Sequence, residues 1–135
     1  PWWHLEEAAT LAHDFPDTPI ILNHTGLPSN RSEDGLSGWR AGMQALAAEP
    51  NTAVKISGIG VPGRPWTAKL NENIVLDTIK IFGADRCMFA SNFPVDSLVA
   101  DYDTIFDGFK QITVRLGEVA QRKLFHDNAK RYYRI

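Results

Sequence analysis

The sequence has little of most features that would betray a function quickly. Cys87 is its one cysteine in 135 residues. No disulfide framework is possible within one chain, and a lone cysteine builds no zinc site by itself. Set in Cys87-Met88-Phe89-Ala90, it reads as a small buried hydrophobe. No apolar stretch approaches the ~20 residues needed to span a bilayer. Nothing resembles a signal peptide, so no membrane partner is expected and a cytoplasmic location follows by default. That default carries a condition, because the chain starts at Pro1-Trp2-Trp3 without a Met. Neither charge sign dominates: 14 Lys and Arg stand against 16 Asp and Glu, a formal net charge of −2. Basic residues are scattered, with no cluster longer than Lys130-Arg131, and such a chain has no electrostatic footprint for nucleic acid. His-x-His, His-Glu-x-x-His and the Gly-x-Ser-x-Gly elbow are absent. The stretch Gly58-Ile59-Gly60-Val61-Pro62-Gly63 has glycines at dinucleotide-loop spacing, but Pro62 spoils it.

What is present is an ordinary globular balance, 44% apolar and 22% charged, arranged as helices alternating with short apolar runs. Leu5, Ala8, Ala12 and Phe15 recur at helical spacing until Pro16 stops them. Ile20-Ile21-Leu22 follows as a strand candidate, then a polar loop from Pro28 to Gly38. A second helix carries Leu36, Trp39, Met43 and Leu46 on one stripe and ends at Pro50-Asn51. Residues 53–57 form the second strand candidate. Asn71 is placed to cap a third helix with Val75, Ile79 and Phe82 on one face, and Gly83 to stop it. Residues 87–90 make a third strand. A long helix from about Val99, carrying Tyr102, Ile105, Phe106, Phe109 and Ile112, and a last helical stretch from about Glu118 to Tyr133 complete the pattern. Strands alternating with helices predict an α/β fold with a parallel sheet. Three strands are few for such a sheet, with at most one more in the Ile59 to Ala68 region, so the chain reads as part of something larger.

Each apolar run ends in a polar cluster: Asn23-His24-Thr25-Gly26, Lys55-Ile56-Ser57-Gly58, and Ser91-Asn92-Phe93-Pro94-Val95-Asp96. In parallel α/β folds the active site lies at the carboxyl ends of the strands, where the βα loops converge. His24, Asn92 and Asp96 are therefore the candidate catalytic residues. Each also has a plainer reading: His24 as a core histidine bonded to nearby backbone, Asn92 as a turn former, Asp96 as a helix cap. Ser57-Gly58 is a turn in either case. His13 reads as a solvated surface residue and His126 as part of a cap. His4 would reach the site only if a further strand precedes Pro1.

Several stretches, in order along the chain, resemble one family. Pro19-Ile20-Ile21-Leu22-Asn23-His24-Thr25-Gly26-Leu27-Pro28 is similar to the strand-5 motif of the amidohydrolase-related barrel hydrolases, the group that includes fuconolactonase-like and pyrone dicarboxylate lactonase-like enzymes. Residues 51–58 look like their strand 6. Residues 82–94 look like their strand 8, and Asp127-Asn128-Ala129-Lys130-Arg131-Tyr132-Tyr133 like the close of their last helix. The resemblance implies the C-terminal half of a (β/α)8 TIM barrel, residues 1–135 holding strands 5 to 8 with flanking helices. It implies a hydrolase acting on a lactone or related ester-like carbonyl of a small-molecule substrate. His24 would polarise that carbonyl, or ligate a metal if one is used; the cofactor is either none or one divalent ion, zinc or manganese. Asn92 stands where the family usually has an aspartate that takes a proton from water. An amide cannot accept that proton, which leaves Asp96, four residues on, as the replacement carboxylate. Arg64 and Lys55 would anchor substrate charge, with His4 beside them. The family's paired strand-1 histidines would lie before Pro1, so the expected partner of this chain is the missing N-terminal half-barrel, or failing that another copy of itself. A metal-dependent decarboxylase on the same barrel, or a non-catalytic barrel remnant, are the alternatives.

Overall fold

Short apolar runs bounded by Pro and Gly have no room to alternate and must be covered on both faces. Three of them form one parallel sheet in a computed structural model that describes residues 1–135: β1 (Ile20–Leu22), β2 (Thr52–Ile56) and β3 (Cys87–Phe89), in the order β1-β2-β3. Leu22 lies beside Val54, Val54 beside Cys87, and Ile56 beside Phe89. Side chains alternate across a strand. Val54, Ile56, Cys87 and Phe89 accordingly share one face and enter the main apolar cluster with Trp39, Met43, Ile79 and Phe109. Ala53 and Met88 are equally buried but stand outside that cluster, and Lys55, in register with Met88, shares their face.

No fourth strand lies between β2 and β3. The two are directly hydrogen-bonded neighbours, and the intervening Ile59–Thr67 segment is irregular. Pro62 and Pro65 have no amide to give a ladder, and Gly60 and Gly63 weaken any strand there. The three strands are therefore successive, and the assignment of β2 and β3 to strands 6 and 8 with another between them does not hold.

The helices are α1 (Leu5–Asp14), α2 (Glu33–Ala47), α3 (Ala68–Phe82), α4 (Tyr102–Thr113), α5 (Glu118–Arg122) and α6 (Asn128–Tyr133). A π-helical turn over Lys123–Asp127 joins the last two. Three of the helices start on side-chain caps: Ser32 accepts from Gly35 N–H, Thr67 from Leu70 N–H and Asp101 from Thr104 N–H. Two expectations change. Thr67, extended after Pro65-Trp66, caps α3, and Asn71 lies buried inside that helix, donating back to the Thr67 carbonyl. Asp101 caps α4, which begins at Tyr102 and not near Val99. Gly83 does end α3, at φ 78°.

Three polar side chains close the amino-terminal side of the sheet. Asn51 donates its amide to the carbonyls of Ala12, Phe15 and Thr18, each at 3.0 Å. Arg86 serves Phe82, Glu49 and Ala47. Asn128, nearly fully buried, donates to Ala84 and Cys87 and pins the last helix against β3. These are the unpaired carbonyls of helix ends and strand starts, so this end of the sheet is devoted to stability. No helix is long and apolar enough to cross a membrane.

Candidate active site

The opposite end of the sheet is built differently. Each strand runs into a residue with positive φ: His24 at 55° and Thr25 at 50° after β1, Gly58 at 58° after β2, and Asn92 at 58° after β3. For the non-glycine residues this left-handed conformation costs roughly 1–3 kcal/mol each, and it persists only where the surroundings over-determine it. Those surroundings are visible at β1. Trp39, fully buried on α2, donates its indole N–H to the Thr25 carbonyl at 2.7 Å, and Thr25 Oγ donates to the His24 carbonyl. The helix core thus holds the loop that aims His24.

Four residues converge there. Nδ1 of His24 lies 2.9 Å from Ser57 Oγ, and Ser57 is buried. The Asn92 amide donates to Asp96 Oδ1 at 2.8 Å. Between the two pairs sits Gly58. A Cβ on Gly58 would fall 2.8 Å from His24 Nδ1 and 3.0 Å from Asn92 Nδ2, so both nitrogens crowd one point that only a glycine leaves open. Asp96 is only 7% exposed, and its Oδ2 is buried with no hydrogen-bond partner. It caps no helix, because Asp101 fills that role for α4. A buried carboxylate oxygen left unpaired costs about 1–3 kcal/mol or more, and such an atom calls for a functional explanation.

Burial and the nearby Lys55 ammonium push the His24 pKa below its ordinary value of 6.5, with Asp96 pulling partly the other way. At neutral pH this imidazole is uncharged. Lys55 therefore acts on the site through its charge, although its Nζ lies over the Tyr133 ring at 5.9 Å.

The remaining sequence candidates lie apart from this cluster. His4 faces solvent and pairs with Glu7 at 2.9 Å. Arg64 is exposed on the turn after β2, its backbone N–H bonded to Val61. Two residues missed by sequence reasoning belong nearer. Ser57, taken for a turn residue, holds the imidazole. Arg31, on the loop between β1 and α2, reaches across to donate from Nη2 to the Ile59 carbonyl at 2.7 Å. Nothing in the local sequence singles out Arg31, since its partner is a backbone carbonyl 28 residues away.

A divalent metal is one cofactor the resemblance implies. His24 offers one ring nitrogen and Asp96 Oδ2 one free carboxylate oxygen, but no group of three or more His, Cys, Asp or Glu side chains converges. Zinc in proteins takes at least three side-chain ligands. The residues of this chain do not by themselves complete a metal site.

Helices packed on a parallel sheet, with a polar site at the carboxyl ends of its strands, define an α/β protein of the class that includes the (β/α)8 barrels. More narrowly, the chain belongs to the amidohydrolase family, whose model matches residues 1–135. It is 48% identical over 134 residues to an uncharacterized protein of Sinorhizobium fredii, which covers 99% of this chain and 45% of that one. It is 33% identical over 140 residues to the L-fucono-1,5-lactonase of Burkholderia ambifaria, covering 98% of this chain and 47% of the lactonase. Crystal structures of an amidohydrolase from Burkholderia multivorans, one with bound HEPES and one with bound zinc, superpose with a TM-score of 0.88 at 25% identity. They cover 99% of this chain and 50% of theirs. The chain spans about half the length of the relatives it matches, and its sheet is part of their barrel.

Proposed function

We propose that residues 1–135 supply the carboxyl-terminal side of a hydrolase site that opens lactones or similar ester-like bonds of small polar substrates. One observation carries this reading: the buried, unpartnered Oδ2 of Asp96, near a neutral histidine, the two following the outer strands β3 and β1 on either side of β2 at the carboxyl end of the sheet. A water held at Oδ2 gives up a proton to it as the water oxygen bonds to the substrate carbonyl carbon. In the tautomer this mechanism uses, Ser57 Oγ–H donates to His24 Nδ1 and the imidazole proton is on Nε2. That N–H stabilises the negative charge growing on the carbonyl oxygen, a role for which an uncharged, preorganised donor suffices. When the tetrahedral centre collapses, the ring C–O bond breaks and Asp96 returns the proton to the leaving alkoxide. Water and lactone become a hydroxy acid, and the carboxylate is regenerated. Asn92 takes no proton; its amide holds Oδ1 and so directs Oδ2 at the water.

The relatives named as lactonases support this substrate class. The test is turnover of a panel of sugar-acid and simple lactones by the full-length protein, followed by pH-stat titration of the acid released. Hydrolysis above the uncatalysed rate supports the reading. No hydrolysis of any lactone, by protein that is folded and carries whatever metal it binds, overturns it.

A further inference from the structure

Ser57 is the first residue beyond β2 and is only 1% exposed. Its hydroxyl has one hydrogen-bond partner in the chain, His24 Nδ1 at 2.9 Å. The ring is held on that side. The His24 carbonyl accepts from Thr25 Oγ at 2.7 Å and from Leu27 N–H at 2.8 Å, which fixes the backbone from which the ring projects. Gly58 backs onto the same edge, since a Cβ there would fall 2.8 Å from Nδ1 and 3.0 Å from Cγ of the imidazole. A hydroxyl and a ring nitrogen have two ways to share one hydrogen bond. If Nδ1 carries the proton it donates to Oγ, and the serine O–H is then left buried without an acceptor. If Nδ1 is bare it accepts the serine O–H, and no buried donor is left over. Leaving a buried donor unmade is the costly side of hydrogen bonding, enough to favour the second arrangement by roughly 5- to 150-fold. Turning the ring over would bring Cδ2 against Ser57 and leave the hydroxyl with no partner at all.

We propose that Ser57 is a positioning residue that selects the tautomer of His24: its hydroxyl donates to Nδ1, and the neutral imidazole carries its one proton on Nε2. The inference deepens the lactonase reading and rests on it for the task of that proton. In that reaction Nε2–H donates to the carbonyl oxygen as negative charge grows there, whereas the other tautomer would turn a lone pair toward the same oxygen. No bond to Ser57 forms or breaks, and its proton stays on Oγ throughout. This separates Ser57 from a serine nucleophile, whose proton passes to the histidine as it attacks. The pairing also sets a condition on metal ligation. A neutral imidazole that binds a metal through Nε2 carries its proton on Nδ1 and gives it to an acceptor, whereas Nδ1 here is itself the acceptor.

The experiment uses the full-length protein, with its histidines labelled with a nitrogen isotope for NMR, at a pH where the imidazole is neutral. His24→Gln identifies the signals. We expect wild-type His24 to show a pyrrole-type Nε2 that carries a proton and a pyridine-type Nδ1 that accepts a hydrogen bond. Ser57→Ala should move both resonances toward the average of two exchanging tautomers. It should also lower kcat on a sugar-acid lactone by about tenfold with KM changed by less than about twofold, the pattern of an interaction made only in the transition state. Ser57→Thr keeps a hydroxyl and should restore the tautomer and most of kcat. If Ser57→Ala does not fold, Ser57→Cys, a weaker donor, carries the same comparison. A proton on Nδ1 in the wild type, as when a metal holds Nε2, overturns the proposal. So does a variant without the hydroxyl that leaves either the resonances or kcat as in the wild type. A Ser57-dependent tautomer in a protein that hydrolyses no lactone would sink the hydrolase reading and leave the assignment of the proton standing.

Discussion

Gly58 carries no side chain at the point where His24 and Asn92 come closest, and its own φ is 58°. Gly58→Ala should therefore do two things: cost about 1–2 kcal/mol through the left-handed backbone, and drive the imidazole and the amide apart. We expect a loss of turnover larger than the loss in stability accounts for, read as kcat/KM against urea midpoint. Asp96→Asn separates chemistry from structure more sharply. The amide can still accept from Asn92, and it replaces an unpartnered carboxylate oxygen, so the melting temperature should stay level or rise. Turnover should drop by ~10²–10⁴-fold, the usual contribution of a general base. Equal falls in both would return Asp96 to a structural role. His24 gives a pH signature. Because its folded pKa is lowered below 6.5, the unfolded chain takes up this proton first as pH falls. The stability contribution is thus intact above pH 6.5 and declines as pH drops through the window between 6.5 and the folded pKa, levelling off below it. His24→Gln should flatten that part of the stability–pH curve; an unchanged curve would show that the imidazole titrates as it does in solvent.

At the scale of elements, caps and strand ends divide stability from function. Asp101 caps α4 through Thr104 N–H at 2.7 Å, and Asp101→Ala should cost ~0.5–2 kcal/mol in chemical denaturation while turnover holds. Asp96 and Asp101 lie five residues apart, and this pair of variants is expected to show opposite profiles. Gly108 fixes another packing choice. A Cβ there would sit 2.0 Å from the Trp66 ring, which itself meets Phe109 edge-on at 5.3 Å. The indole after the β2 loop is in this way sunk into α4, and it braces that loop. Much of this organisation is legible in the chain. The apolar run Ile20-Ile21-Leu22, the stripe Leu36-Trp39-Met43-Leu46 and the stop at Gly83 each specify their element locally. The start of α3 is not, because Thr67 and Asn71 are both acceptable caps by residue type. The choice falls to the extended backbone after Pro65 and to the burial of Asn71.

For the whole molecule, the sheet has two outer strands, β1 and β3, each with one neighbour. Open edges with a parallel ladder template pairing with further strands, and Trp3, Leu11 and Phe15 are each more than half exposed. We expect the 135-residue chain, expressed by itself, to self-associate, and the full-length protein to suppress this. A monomer of the short chain by light scattering, with one cooperative melting transition, would contradict that expectation. The sequence by itself determined the class of fold, since strand-length apolar runs alternating with helical stripes leave few arrangements other than a parallel sheet under helices. It also located the candidate site, because three such runs each end in polar residues. Which of those residues act together was decided only in three dimensions. That Asp96 turns its free oxygen inward while Asp101 does the capping depends on where α4 begins. That Ser57 holds His24, and that Arg31 reaches the Ile59 carbonyl, depends on loops from different strands meeting beside Gly58. Pairings between residues 28 or 33 positions apart have no local signature: their energy comes from burial and close approach, which exist only once the strands are side by side.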